Sequence, residues 1–483
     1  MKIKNKLLTI IVISCVILLS NISFNKSAMA QLGINDYSSG EITADWTVMY
    51  YLCGDLSFFC KDPLDVLENL TKIKSTEGLN ILVMKDSIEV GDTQLILVND
   101  TGGKEILNER FGWPDEVDTG NPNTLNLFCK LMMNAYPANH YVLFVVAPGT
   151  AGWQLRSLHD QHGSHGPGWP VFGETLKNIT NNGENKIDVI FLESCVLGMI
   201  ENVYEIAPYV NYVVTSEEHI PDGELCSKRY YEPLWDLKNN TKMAPEEFAN
   251  RGPYNHYPVN FSFFEGPYAS DYANPSHLTK FLNKLPNPKF HTVQMHTTCS
   301  AVNVSEISPL ITAIDDLASF LILYKDNKNV HNAIKKARSE VREYGKGLPK
   351  NWVLGLDFVY FGKSHYFYQK FPLEMFAWDC WIDLYNLVDL IRENVNIPEI
   401  KTKCLSVMEK LNDTITANTI VPGDESHGLS IYFPSSKRMY NRYVYGPNIP
   451  YPYEDLRFSK NTMWDEFLKY YLGITNDANR IFS

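Results

Sequence analysis

Cys195 is the side chain best placed to do chemistry. It follows directly on the apolar run Ile187–Leu192 and precedes a stretch, Val196–Ala207, with helical periodicity. A nucleophile there sits at the carboxyl end of a strand. A helix amino end behind it lowers a thiol's pKa and offers backbone N–H groups to an oxyanion. A cysteine at a strand end is also an ordinary core residue, so its surroundings must decide. Glu193, two residues earlier, can pair with a guanidinium in a cleft; it can equally be an acid at the amino end of the next helix. His159, His162 and His165 follow a second apolar run, Tyr141–Ala147. Imidazole gives and takes protons near neutral pH. With Asp160 these histidines could ligate a metal, but their spacing fits no standard zinc pattern.

These residues depend on the elements around them. Trp46–Leu52, Leu79–Met84, Thr93–Val98, Tyr141–Ala147, Ile187–Leu192 and Val210–Val214 read as strands. Asn123–Tyr136, with Asn123 as N-cap, Phe172–Asn182 and Val196–Ala207 read as helices. Continuous apolar strands alternating with helices imply a mostly parallel sheet covered on both faces. In such sheets, sites form at the carboxyl ends of the strands. After about residue 235 the pattern turns helical and irregular. Ile307–Tyr324, Asn329–Tyr344 and Ala377–Glu393 read as helices, Gly428–Pro434 as a strand and Met463–Leu472 as a last helix. The expected organisation is residues 1–30 as a signal peptide, 31–235 as an α/β core and 236–483 as a region packing on it.

Composition bounds the function. The 483 residues carry a net charge of −13 and are 13% aromatic. That is too aromatic for a disordered chain, and an acidic chain without a basic run has no footprint for nucleic acid. Lys2, Lys4 and Lys6 precede the apolar stretch Leu7–Leu19, and Ala28-Met29-Ala30 offers a cleavage site. This is a secretory signal pattern, too short for a membrane span of about 20 residues. Val12-Ile13-Ser14-Cys15 resembles a lipoprotein box, so an anchor at Cys15 is the minority alternative to secretion. No C-x-x-C pair occurs among the nine cysteines, which removes zinc-ribbon and thioredoxin readings.

The neighbours of Cys195 carry a resemblance. Glu193-Ser194-Cys195-Val196-Leu197-Gly198-Met199-Ile200-Glu201 resembles the Asp-x-Cys-x-x-Gly-Met-x-Glu signature of the clostripain family of cysteine peptidases. Trp46–Leu52 is similar to that family's opening strand. Gly120–Leu125 and Tyr136–Tyr141 are similar to the approach to its histidine strand, and Thr215–Glu218 to the strand end after the nucleophile helix. Gly428–Pro434 with Trp464, Phe467 and Tyr471 resembles its carboxyl-terminal signature. The resemblance implies a caspase-like fold, Cys195 as nucleophile, Glu193 in the position that receives Arg or Lys, and self-cleavage before the nucleophile, where Arg156, Lys177 and Lys186 are the basic residues. It implies no organic cofactor; calcium enters by resemblance alone, since some members use it.

The chain departs from the family at one place. The family carries His-Gly-x-Gly-Trp after the preceding strand, and this chain has Gly149-Thr150-Ala151-Gly152-Trp153. Gly149 has no group to move a proton. His165-Gly166-Pro167-Gly168-Trp169 spells the motif again downstream, which makes His165 the substitute base if the loop folds back over the sheet end. Three readings therefore stand together. They are a secreted endopeptidase impaired by loss of the His, a pseudopeptidase that binds basic peptides or proteins, and an active enzyme using His165.

Overall fold

The computed structural model describes residues 42–55, 61–147, 160, 163, 166, 168–218, 220, 228–254, 259–264, 290–295, 298–346, 377–420, 425–445 and 451–474. The signal pattern, Arg156, Gly149, His159, His162 and His165 lie outside the described residues.

Nine strands form the central sheet. They are β1 (Ala44–Cys53), β2 (Leu79–Asp86), β3 (Gln94–Val98), β4 (Lys104–Ile106), β5 (Ala138–Val146), β6 (Ile187–Glu193), β7 (Val210–Thr215), β10 (Thr298–Asn303) and β13 (Ile415–Ile420), in the order β13-β10-β7-β6-β5-β1-β2-β3-β4. The five in the middle are parallel, so their carboxyl ends share one edge. Antiparallel strands flank them on both sides. A ribbon of β8 (Val259–Phe264) and β9 (Phe290–Met295) and a small sheet of β11 (Glu343–Lys346), β12 (Ala377–Asp383) and β14 (Ser430–Tyr432) are the other strands among the described residues.

The continuous apolar runs have a direct cause. Along β1, Trp46, Val48, Tyr50 and Leu52 belong to one buried face, and Met49, Tyr51 and Cys53 to the other. A strand buried on both sides has no polar period to show. Helices α1 (Lys61–Ile73) and α5 (Pro245–Tyr254) cover the first face. Helices α2 (Pro122–Ala135), α3 (Trp169–Ile179), α4 (Ile200–Ile206) and α6 (Ile307–Leu323) cover the second. The expected mostly parallel sheet with helices on both faces is the observed fold.

Several boundaries differ from the sequence reading. The α2 cap is Asn121, not Asn123, because Pro122 occupies the first helical position and the Asn121 side chain accepts from Asn123 N. Ala377–Glu393 is not one helix. Ala377–Asp383 is strand β12, and Asp383 caps a helix, α7 (Leu384–Asn394), by accepting from Asn386 N at 2.6 Å. Residues after 235 do more than pack on the core: β10 and β13 extend the central sheet itself. No helix among the described residues is long and apolar enough to cross a membrane.

Candidate active site

Register places the site. Glu193, the last residue of β6, pairs with Val146 of β5, and Val146 pairs with Leu52 of β1. Cys195 lies two residues beyond, over the carboxyl edge. Ser194 fastens the turn by donating its Oγ to Ala147 O at 2.7 Å.

The turn is strained and tightly packed. Val196 has φ +54°, a left-handed conformation that a β-branched residue rarely adopts. Its N–H is held by Glu218 O at 3.2 Å. Backbone strain of this kind persists where the surroundings over-determine it, and it clusters at functional sites. Two residues on, Gly198 N donates to Ser216 O at 2.7 Å and Gly198 O accepts from Ser430 N at 2.8 Å. A Cβ on Gly198 would stand 2.8 Å from Ser216 C, so only glycine fits between the ends of β7 and β14. This pairing delays the helix. It begins at Ile200 rather than Val196, so the thiol does not sit on a helix amino end.

Cys195 is partly buried, and its sulfur accepts the backbone N–H of Ile220 at 3.3 Å. The thiol in turn donates to Ile220 O at 3.5 Å. The other described cysteines, Cys53, Cys129, Cys299, Cys380 and Cys404, are free and buried. Burial pushes the Cys53, Cys129 and Cys299 thiols well up and that of Cys404 to about 12, which makes them inert. Among the described cysteines Cys195 alone combines access with a donor.

Glu193 is placed differently from the sequence expectation. Its carboxylate is buried, on the face of the sheet that carries Tyr50 and Cys299, and pairs with Arg229 Nε at 3.0 Å. Arg229 is itself buried and lies over the Tyr230 ring at 4.8 Å. Tyr230 is held in turn, its carbonyl accepting from Tyr50 Oη at 2.7 Å. Burial raises the Glu193 carboxyl above its usual range, and the charge and hydrogen bond of Arg229 offset this only in part. Glu193 is therefore an acid already matched by an internal arginine. It neither caps the following helix nor stands open to solvent.

Two further groups escaped the sequence reading. His427 Nδ1 lies 3.1 Å from the buried Asp383 carboxylate, and the imidazole stacks on Tyr385 at 4.2 Å. Burial opposes the charged ring, but Asp383 outweighs it and raises the His427 pKa. The next residue, Gly428, donates its N–H to Glu217 Oε2 at 3.0 Å, which ties this imidazole to the end of β7. Its only sequence signal is Ser426-His427-Gly428 before the β14 strand. The second group is Asp55, Asp86 and Asp160, three buried carboxylates with oxygen atoms within 4.8 Å of one another. Burial raises Asp86 to about 7 and Asp160 to about 6. Asp160, read with the loop histidines at the sequence level, lies with Asp55 just past β1 and Asp86 at the end of β2.

A mostly parallel sheet covered by helices on both faces, with Cys195 just past the carboxyl end of β6, is the caspase-like architecture of a cysteine-peptidase class. The model of the clostripain family matches residues 50–471, and the chain belongs to that family. Similar solved structures include an inactive zymogen C11 protease from Parabacteroides distasonis, at 15% identity and TM-score 0.53 over 88% of this chain and 99% of that one. A secreted C11 cysteine protease from Bacteroides thetaiotaomicron, in complex with an irreversible peptide inhibitor, matches at 16% identity and TM-score 0.49 over 83% and 96%. At 15% identity the first of these likenesses speaks for the fold alone. No curated protein matches the chain.

Proposed function

We propose that this chain is an exported cysteine-peptidase homologue that takes Arg- or Lys-containing peptides at the carboxyl edge of its sheet. Cys195 is the nucleophile and Glu193 the acid that receives the basic side chain. The setting of Cys195 carries the reading: an accessible sulfur beside the Ile220 N–H, on a turn held at a positive φ. The signal pattern ending at Ala30 supports export, with an anchor at Cys15 as the alternative route. Arg229 sets a condition on recognition. An incoming guanidinium has to take its place at Glu193, so the basic preference is weaker than for an open carboxylate.

Amide turnover is expected to be low. A thiol is already a few per cent thiolate at neutral pH, so attack survives in part without a base. Protonation of a leaving amine does not, and this help is worth about 10²–10⁴-fold. Gly149 therefore also supports the second reading, in which the fold binds peptides without cleaving them. The test uses residues 31–483 with Arg-containing amides and activated esters, whose leaving groups depart as anions. Ester turnover without amide turnover, abolished in Cys195→Ala, is the expected result. Robust amide hydrolysis that His165→Ala removes, and His159→Ala and His162→Ala do not, would overturn it and place the base in the loop. Unchanged ester turnover in Cys195→Ala would overturn the nucleophile.

A further inference from the structure

Cys195 lies at the carboxyl edge of the sheet, and a second concave surface opens at the amino edge. It forms where Lys186 precedes β6, Val210 begins β7, Asn303 ends β10 and Ile307 begins α6. Its volume is about 700 Å³, within the range of ligand sites. A smaller hollow of about 420 Å³ runs on along α5 and shares Ala244 and Glu246 with the first, so the two make one open groove. β6 is seven residues long, which puts about 23 Å of strand between this groove and the thiol. The same distance keeps Lys186 away from Cys195 of its own chain, so self-cleavage does not account for Lys186.

We propose that this groove docks an extended acidic segment of a partner protein. Lys186 and Arg457 both line it, both are half-buried, and neither forms an ion pair among the described residues. The Arg457 guanidinium lies over the Tyr204 ring at 4.4 Å and donates from Nη1 to Tyr204 O at 3.3 Å, which fixes its plane. Lys186 has no hydrogen-bond partner among the described residues. The chain as a whole carries −13, so this is a local reversal of sign. The acid in the first hollow, Glu246, accepts from Tyr212 Oη at 3.3 Å and pairs with neither cation. A half-buried cation loses hydration, and an incoming carboxylate restores the lost contacts. The amino end of α6 opens on the same groove at Ile307 and Ser308 and adds to the positive field.

The shape favours a peptide over a small anion. A small-molecule site encloses most of its ligand, whereas this groove runs open along α5 to Tyr254, which is 66% exposed. An exposed tyrosine offers an apolar ring with a polar tip, a residue type enriched at protein interfaces. An acidic side chain at Lys186 and Arg457, followed along the peptide by an aromatic one against Tyr254, matches this layout. The inference stands apart from the thiol chemistry and needs no turnover by Cys195.

The test is fluorescence anisotropy of residues 31–483 with a short labelled peptide of Glu, Tyr and Ser, set against its counterpart with Gln for Glu. The acidic peptide should bind, and the Gln peptide should bind at least about tenfold more weakly, with the difference shrinking as salt rises. Lys186→Glu sets an acid against the peptide's acids and should weaken binding by at least about tenfold. Arg457→Gln should weaken it in the same direction. Lys335→Glu makes the same charge change at an exposed lysine outside the groove, and should leave binding unaltered. The two peptides on the wild-type chain decide even if a variant does not fold. No binding at millimolar peptide would overturn the proposal. So would equal affinity for the two peptides, or an equal loss in Lys335→Glu, which would reduce the effect to overall charge. Citrate binding as tight as the peptide's would make the groove a small-anion site, and a dimer that Lys186→Glu separates would fill it with a second copy; either result also overturns the proposal.

Discussion

Glu193 and Asp86 end neighbouring parts of the same sheet edge, and they meet opposite fates. Each is a buried acid at the end of a parallel strand. Glu193 has a guanidinium from its own chain at 3.0 Å; Asp86 has two further acids, Asp55 and Asp160, and an oxygen with no donor among the described residues. Burial penalises both charges, but only one is matched from within. The first acid is a finished piece of core, matched by Arg229. The second is one member of a cluster of buried acids, and burial raises it to about 7.

The sharpest way to break this contrast is to remove the matching charge. Arg229→Met leaves Glu193 buried and unpaired, and should lower stability by about 3–5 kcal/mol in urea unfolding. Adding Glu193→Gln should recover most of that loss. Asp86→Asn should have the opposite sign, neutral to stabilising, because it deletes a buried charge beside two other acids, with no matching cation among the described residues. Equal destabilisation by Arg229→Met and Asp86→Asn would erase the distinction.

A third buried acid is an internal control. Glu201 Oε1 accepts from Tyr432 N at 2.9 Å and Tyr453 Oη at 3.0 Å, yet burial raises its carboxyl from 4.5 to about 7. The unfolded chain releases that proton near 4.5, so between about 4.5 and 7 the folded state holds more protons. Its contribution to stability is present below that window and falls as pH rises through about 7, by up to about 3 kcal/mol. Glu201→Gln should flatten that part of the stability–pH profile. An unchanged profile would mean that Glu201 titrates like a solvated acid.

The smallest effect concerns the nucleophile turn. Val196→Gly should relieve a positive-φ strain of about 1–3 kcal/mol while loosening the chain, leaving a net gain under about 1 kcal/mol. It should also slow labelling of Cys195 by a peptide chloromethylketone. Unaltered labelling would separate the strain from the sulfur's placement.

Much of this was legible in the sequence because it is local. Periodicity along Trp46–Leu52 and Ile187–Leu192 needs only neighbouring residues, and it located the parallel strands and Cys195 at an edge. The same logic failed at Ala377–Glu393. There an apolar stretch fitted a helix until Asp383 proved to be its cap. It failed again at Val196–Met199, where pairing of Gly198 with Ser430 overrides the helical pattern.

The chain's order of residues determined the strand faces, the thiol just past the end of β6, the glycine in the turn behind it and a glycine, Gly149, where the resembling motif carries a histidine. Each follows from residue type and short-range spacing. Tertiary structure alone decided which charges meet. Arg229 reaches Glu193, His427 reaches Asp383, and Asp160 joins Asp55 and Asp86 only after the sheet sets distant segments side by side. The energy of a buried charge depends on what lies within a few ångströms of it, and sequence separation carries no record of that distance.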